Sequence, residues 1–304
     1  MLSSHVTRYV ALHRGLGRQF NEQKRTLELF VQDTEAYGEP YILASRVHGW
    51  CATASSPNVA RTRYNTVRRF CVFLNAENPH HEIPPANAFG RGKRPRPAPY
   101  ILEPEQIRAL MRAALDLPPK GSISPMTYYH LFGLLAATGL RISEALALQR
   151  YDLTDDGLVI RQGKFGKSRL VPLHTTARRA LADYGAIRDR LGGTSDDLFV
   201  VTTGRAPSTT WAYVVFVRLA RQLGFRGGKG TKGPRLHDLR HTFAVRSLEA
   251  CAHDRQAVAC HMAALSTYLG HADVANTYWY LQATPVLMHG IAEASEQLFQ
   301  GVSV

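Results

Sequence analysis

The stretch Gly90-Arg91-Gly92-Lys93-Arg94-Pro95-Arg96-Pro97-Ala98-Pro99 constrains this chain more than any other. Half of it is glycine or proline, and four of its ten residues are cations with no acid among them. Proline removes backbone donors and glycine raises the entropy cost of ordering, so neither helix nor strand is stable here, and there is little apolar surface to bury. A single core cannot run through such a segment. The 304 residues are therefore expected to form two domains, 1–89 and 100–304, joined by a basic linker at 90–99.

Charge says what both domains face. The formal net charge is +13, with 14 Lys/Arg against 7 Asp/Glu in residues 1–99 and 23 against 17 in the remainder. An excess on both sides of the linker suits a polyanion, of which nucleic acid is the commonest, better than it suits one basic tail. The alternative is a basic enzyme without such a partner. No apolar run reaches the length of a membrane span, and Met1-Leu2-Ser3-Ser4-His5 lacks the apolar region of a secretory signal. Cys51, Cys71, Cys251 and Cys260 show no CxxC spacing and read as reduced thiols of a cytoplasmic protein.

The first domain reads as helical from His5 to about Asn78. One helix runs through Thr26 to Tyr37 and stops at Gly38 and Pro40, a second covers Ile42 to Ala52, and a third opens at Ser56-Pro57. In the third, Tyr64, Val67, Phe70, Cys71 and Leu74 recur at three and four residues and form one apolar face. Arg61, Arg68 and Arg69 fall off that face, either as a solvated rim or as phosphate contacts. Lys93, Arg94 and Arg96 of the linker could follow a phosphate backbone in the same way.

In the second domain, Glu103-Pro104-Glu105 opens a helix, and Tyr128 to Ala137 forms an apolar one that Gly139 ends. Leu140 to Leu148 follows, with Arg141 at its first turn. A cation there opposes the helix dipole, which calls for a phosphate or a carboxylate as partner. Leu158 to Gln162 and Ser168 to Leu173 read as a hairpin around Gly163-Lys164-Phe165-Gly166-Lys167, and Leu198 to Val201 as a further short strand. Helices are expected at Thr175 to Leu191 and from Ser208 to about Leu223. In Leu236 to Ala244, helical spacing puts His237, Arg240 and His241 on one face. A zinc reading of the two histidines fails, because the glutamate of HExxH is missing and Arg240 would repel a cation. Cys251, His253, Cys260 and His261 match no zinc module either. Gly270 can end a helix and Asp273 or Asn276 can cap the next. On that next helix Tyr278 and Tyr280 point to nearly opposite sides, so only one of them can face a given site.

Five segments stand in order: Thr138-Gly139-Leu140-Arg141-Ile142-Ser143-Glu144, Gly163-Lys164, Leu236-His237-Asp238-Leu239-Arg240-His241, Leu269-Gly270-His271, and Tyr280. Over about residues 100–285 this set resembles the tyrosine recombinase family of phage integrases, Xer recombinases and Cre. The resemblance implies a mainly α fold with a small β-sheet, an N-terminal helical core-binding domain and a C-terminal α+β catalytic domain. It implies Tyr280 as nucleophile and Tyr278 as a packing residue, Arg141 and Arg240 as phosphate clamps, His237 as proton acceptor for the tyrosine, and His271 as a phosphate ligand. The family's pattern places the catalytic lysine after the first glycine of the turn. That selects Lys164 as general acid and leaves Lys167 as a DNA contact.

The chemistry agrees. A guanidinium fork matches phosphoryl oxygens and stays charged, a lysine can release a proton to the leaving oxygen, and histidines titrate near working pH. A covalent 3′-phosphotyrosine keeps the bond energy, so rejoining needs no ATP, and with two arginines, a lysine and histidines around the phosphate no metal cofactor is expected. The implied partners are a double-stranded recombination site and three further copies of the chain, as a tetramer on paired sites that exchanges a C-terminal tail helix at about Pro285 to Phe299. The resemblance also leaves room for an accessory DNA-bending or directionality protein, association with the bacterial nucleoid during action, and a mobile-element role. The alternatives are a catalytically silent DNA-binding protein on the same scaffold and type IB topoisomerase-like relaxation. The chain departs from the pattern between Arg240 and His271, where extra residues fall around Ala252 to Ala264.

Overall fold

A computed structural model describes residues 2–90, 98–161, 168–191, 194–228, 230–251, 255–271, 273 and 275–281, with backbone alone at 255–257, 276 and 281. Lys93, Arg94, Arg96, Lys164, Lys167 and the expected tail helix lie outside the described residues. Contacts divide the chain into two compact units, Met1–Arg96 and Pro97–Val304.

The first unit is a set of four helices, α1 (Leu2–Gly15), α2 (Asn21–Ala36), α3 (Ala44–Ala52) and α4 (Pro57–Asn75). The Ser56 hydroxyl accepts from the Val59 amide at 3.4 Å, and Pro57 occupies the first turn, where its missing N–H costs nothing. The apolar face read from the sequence is the buried one: Tyr64, Val67, Phe70, Cys71 and Leu74 of α4 pack with Leu27 and Phe30 of α2 and Val47 of α3. Each valine, leucine and phenylalanine among them contributes roughly 1.5–3 kcal/mol when fully buried. The chain after α4 folds back along it, held where the Tyr64 hydroxyl donates to the Pro85 carbonyl at 2.7 Å.

The second unit is built around α6 (Ile123–Thr138), which is apolar on every side and buried accordingly. Around it stand α5 (Pro104–Ala114), α7 (Ile142–Leu146), α8 (Thr175–Leu191), α9 (Thr209–Gln222) and α10 (Asp238–Glu249). A three-stranded antiparallel sheet lies in the order β1 (Leu153–Thr154), β2 (Gly157–Ile160) and β3 (Arg169–Val171), with Leu158 opposite both Leu153 and Val171. The fold is mainly α with one small sheet, as the sequence leads one to expect.

Two details differ from that expectation. β1 is too short to leave a period-2 signal. Leu198 to Val201 is not a strand, and only Asp197 bridges to Gln149. Its backbone is satisfied instead by the Leu148 carbonyl, which accepts from Leu198 N at 2.8 Å, and by the Tyr184 hydroxyl, 3.3 Å from Val200 N. The apolar run marks insertion of Leu198, Phe199 and Val200 into the core rather than strand pairing.

A second cluster joins α10 to α11 (Arg255–Leu269) and α12 (Ala275–Leu281) through Ala244, Val245, Leu248, Met262, Leu265, Leu269 and Tyr280. The extra residues from 255 onward are absorbed into α11. The Thr242 hydroxyl accepts from Leu102 N at 3.0 Å and donates to the Asp238 carbonyl at 2.8 Å, fixing α10 to the start of the unit.

Candidate active site

The site is assembled by three helix ends. The first is the turn from α6 to α7. Gly139 ends α6 at φ +61, and a Cβ there would lie 2.6 Å from the Phe243 ring. The chain then places Arg141 just before the first turn of α7, in extended conformation (φ −69, ψ 143), rather than within that turn. Its dipole misfit is answered by a carboxylate. Arg141 Nη1 donates to Glu144 Oε1 at 2.7 Å, and the same carboxylate accepts from the Arg141 amide at 3.0 Å. Arg169 on β3 grips Glu144 from the other side, at 3.1 and 2.9 Å. Burial pushes the Glu144 carboxyl up, but the hydrogen bonds and charges of Arg169 and Arg141 outweigh it and bring the pKa down to about 2.

The second end is the C-terminus of α11. The Gly270 amide donates to the Thr267 carbonyl at 3.0 Å and the His271 amide to Ser266 at 2.9 Å, which is the Schellman pattern with glycine in the left-handed position (φ +67). Glycine is needed here twice, because a Cβ at 270 would also lie 2.8 Å from the Arg169 guanidinium. The freed carbonyls become acceptors. Arg141 donates to Leu269 O at 3.3 Å and to Gly270 O at 3.0 Å, and Arg169 Nε donates to Tyr268 O at 2.8 Å.

The third is the start of α10. Arg240 is 2 % exposed. It donates to Gly139 O at 2.7 Å, to Leu269 O at 2.8 Å and to His271 Nε2 at 3.0 Å, and makes no ion pair among the described residues. Desolvation, then repulsion from Arg141, lowers its pKa to about 10, so it stays charged at neutral pH. A guanidinium only donates, so His271 Nε2 is an acceptor and Nδ1 carries the proton. Nδ1 then donates to the buried Thr277 hydroxyl of α12 at 2.7 Å.

Tyr280 and Tyr278 do lie on opposite faces of α12, but with burial reversed from the sequence expectation. Tyr280 is 2 % exposed and Tyr278 57 %. The packed tyrosine is thus the one beside the arginines: its ring lies parallel to that of His271 with centroids 6.2 Å apart, and its oxygen stands within electrostatic reach of Arg240. The Tyr280 hydroxyl meets His241 Nδ1 at 3.2 Å. His237, which the family resemblance offered for that contact, stands just before α10 without a side-chain capping bond and meets the edge of His241 instead, at 4.6 Å between rings. Desolvation by the protein around the ring, followed by the charge of Arg240, pushes the His237 imidazole down to about 4, although the residue itself is exposed. It is neutral near pH 7.

Of the sequence-derived set, the structure brings Arg141, His237, Arg240, His271 and Tyr280 together. Sequence reasoning missed Glu144, Arg169, Thr277 and the contact made by His241. Glu144 had a signal, the three-residue spacing from Arg141. Arg169 had none, because its role exists only once β3 lies against the end of α11. Among the described residues, no group of three or more His, Cys, Asp or Glu is placed to hold a metal ion.

In the first unit the three arginines part company. Arg61 donates to Gly90 O at 3.2 Å and to Asn58 Oδ1 at 2.9 Å, and Arg68 donates to Pro84 O at 2.9 Å. Both hold the returning segment on α4. Arg69 is exposed and, with Arg18, His13, Asn65 and Thr66, lines a polar cavity of 490 Å³. Burial, then Arg18 and Arg69, lowers the pKa of His13.

A tyrosine hydroxyl on one histidine and beside another and Arg240, with Arg141 sharing the Leu269 carbonyl of Arg240, is an arrangement that can bind a phosphodiester and attack it. The chain belongs to the phage integrase family, whose model matches residues 101–285. It is 38 % identical to y4rB of Sinorhizobium fredii, named as an integrase/recombinase, over 93 % of each chain. It is 29 % identical to tyrosine recombinase XerD of Brucella suis over 90 % of this chain and 92 % of that one. The fold is similar to that of the Tn1549 transposon integrase in complex with transposon right-end DNA (TM-score 0.65, 18 % identity, 97 % and 98 % of the two chains). It is also similar to a lambda integrase dimer bound to a core site (TM-score 0.64, 18 % identity, 93 % and 95 %). No helix among the described residues is long and apolar enough to cross a membrane.

Proposed function

We propose that this chain is a site-specific tyrosine recombinase, which cleaves and rejoins duplex DNA through a 3′-phosphotyrosyl intermediate for a mobile element. The observation that carries the reading is Arg240, a buried cation whose partners among the described residues are carbonyls and a histidine and which stands beside a packed tyrosine. A buried charge without a counter-ion is costly, and an arriving phosphate anion relieves that cost.

In this reading Arg141 and Arg240 hold the non-bridging oxygens, and their charge grows in worth as the transition state develops. With the tautomer reversed, so that the Thr277 hydroxyl donates to Nδ1, His271 donates its Nε2–H to the phosphate, and neutral His237 donates a second N–H to it. Tyr280 attacks phosphorus as the P–O5′ bond breaks, and Lys164 protonates the leaving oxygen. The N-terminal unit clasps the duplex, with Arg69 and the basic linker on its phosphates and Arg61 and Arg68 adding charge from positions fixed on α4. The working unit is a tetramer on paired sites, coupled by exchange of the C-terminal tail. The relatives named as integrases and recombinases, and the solved integrases bound to transposon and core-site DNA, support this reading.

The test is covalent attachment to a nicked suicide substrate. Tyr280→Phe should bind DNA normally and form no protein–DNA adduct, while Tyr278→Phe, at an exposed position, should stay within about twofold of the parent. Adduct formation by Tyr280→Phe would sink the assignment.

A further inference from the structure

α10 offers two imidazoles to the site, one turn apart. Only one of them touches the tyrosine. His241 Nδ1 stands 3.2 Å from the Tyr280 hydroxyl, whereas among the described residues the ring of His237 has no hydrogen bond. The His241 ring is held on two sides, edge-on by His237 at 4.6 Å and by Trp279 at 5.1 Å, so its nitrogen is aimed rather than free to turn. Tyr280 is equally fixed, at 2 % exposure and alongside His271.

A phenol is a stronger acid than the N–H of a neutral imidazole, so beside a neutral ring the tyrosine donates and Nδ1 accepts, which puts the imidazole proton on Nε2. Arg240, the next residue back along α10, is the cation placed for the phosphate. One helix thus sets the position of the anion and of the base together.

We propose that His241 is the proton acceptor for Tyr280 in DNA cleavage. This rests on the reading of Tyr280 as nucleophile. As the Tyr280 oxygen forms its bond to phosphorus, the phenolic proton passes to His241 Nδ1. The P–O5′ bond breaks, and the departing oxygen takes its proton from a separate acid. In rejoining, the 5′-hydroxyl returns its proton to that same separate group as it attacks, the phosphotyrosyl bond breaks and His241 returns the proton to the phenolate. His237 suits the other task. Its low basicity, set by desolvation and by Arg240, leaves it a neutral donor beside the phosphate.

The side-chain geometry gives a selective test. Asparagine can place an amide oxygen where Nδ1 stands but cannot take up a proton, whereas glycine leaves a space that free imidazole can enter. Single-turnover cleavage of a suicide substrate should fall by at least about 10²-fold in His241→Gly with DNA binding unchanged. Added imidazole should restore part of the rate in proportion to its concentration, and should restore nothing in the Tyr280→Phe variant. His241→Asn should keep the parent's melting temperature and remain slow. Parental rates in His241→Gly would overturn the proposal. So would full activity in His241→Asn, which would reduce His241 to a positioning residue. A deficit that imidazole leaves unchanged would overturn it too. Peptide mapping of the parent adduct separates the two readings. An adduct on another tyrosine overturns the nucleophile assignment and this proposal with it, whereas an adduct on Tyr280 with a fully active His241→Gly overturns this proposal alone.

Discussion

Arg141 and Arg240 donate to the same carbonyl oxygen, that of Leu269, yet they live in opposite electrostatic surroundings. Arg141 shares the Glu144 carboxylate with Arg169 and keeps 22 % of its side chain exposed. Arg240 is buried and, among the described residues, paired with no carboxylate, and desolvation pulls its pKa down to about 10. The Arg141 end has a counter-ion, one carboxylate divided between two guanidiniums, and so carries part of its own compensation without a ligand. The Arg240 end holds unbalanced charge in a dry place, and that charge gains most when an anion arrives. Scaffold and function thus separate within one cluster of guanidiniums.

Three experiments can break or sharpen this contrast. The largest effect is expected for Arg240→Ala, which should slow covalent adduct formation by on the order of 10³-fold, against about 10² for Arg141→Ala. Equal losses in single-turnover cleavage would erase the distinction. Next comes Glu144→Gln. The folded carboxyl is held at about 2, below its ordinary 4.5, so its stabilisation is complete above pH 4.5 and is lost as the pH falls toward 2. At neutral pH it amounts to on the order of 3 kcal/mol. Urea denaturation should show a variant less stable by about that much at pH 7, without the parent's loss of stability between pH 4.5 and 2. A variant with the parent's pH dependence would mean that Glu144 does not balance Arg141. The smallest effect belongs to Gly270→Ala, which should cost about 1–2 kcal/mol for the left-handed backbone. It should also disturb Arg169, which Glu144 and the Tyr268 carbonyl hold too firmly to swing aside. A melting temperature equal to the parent's would show that the helix end gives way more easily than its hydrogen bonds imply.

Much of this was legible in the residues, and what was not has a physical reason. The apolar stripe of α4 and the caps at Ser56, Ser208 and Gly139 are local features, and local spacing reveals them. Arg141 announced a partner by standing against a helix dipole, and Glu144 three residues on supplied it. Arg169 gave no signal, since it acts only where a strand meets the end of a distant helix. The histidine that touches Tyr280 could not be read from spacing either. His237 and His241 share a face, and the choice between them depends on how the Gly270 turn aims α12. The burial of Tyr280 rather than Tyr278 follows from the same turn.

The shared Leu269 carbonyl carries one more consequence. It acts as a gauge block between the two cations, and it belongs to the peptide rather than to a side chain. Exchanging the leucine for another residue changes the packing beneath α11 but leaves the oxygen in place. The separation of the two guanidiniums is written in the path of the chain, and a mutation reaches it only by rerouting the backbone.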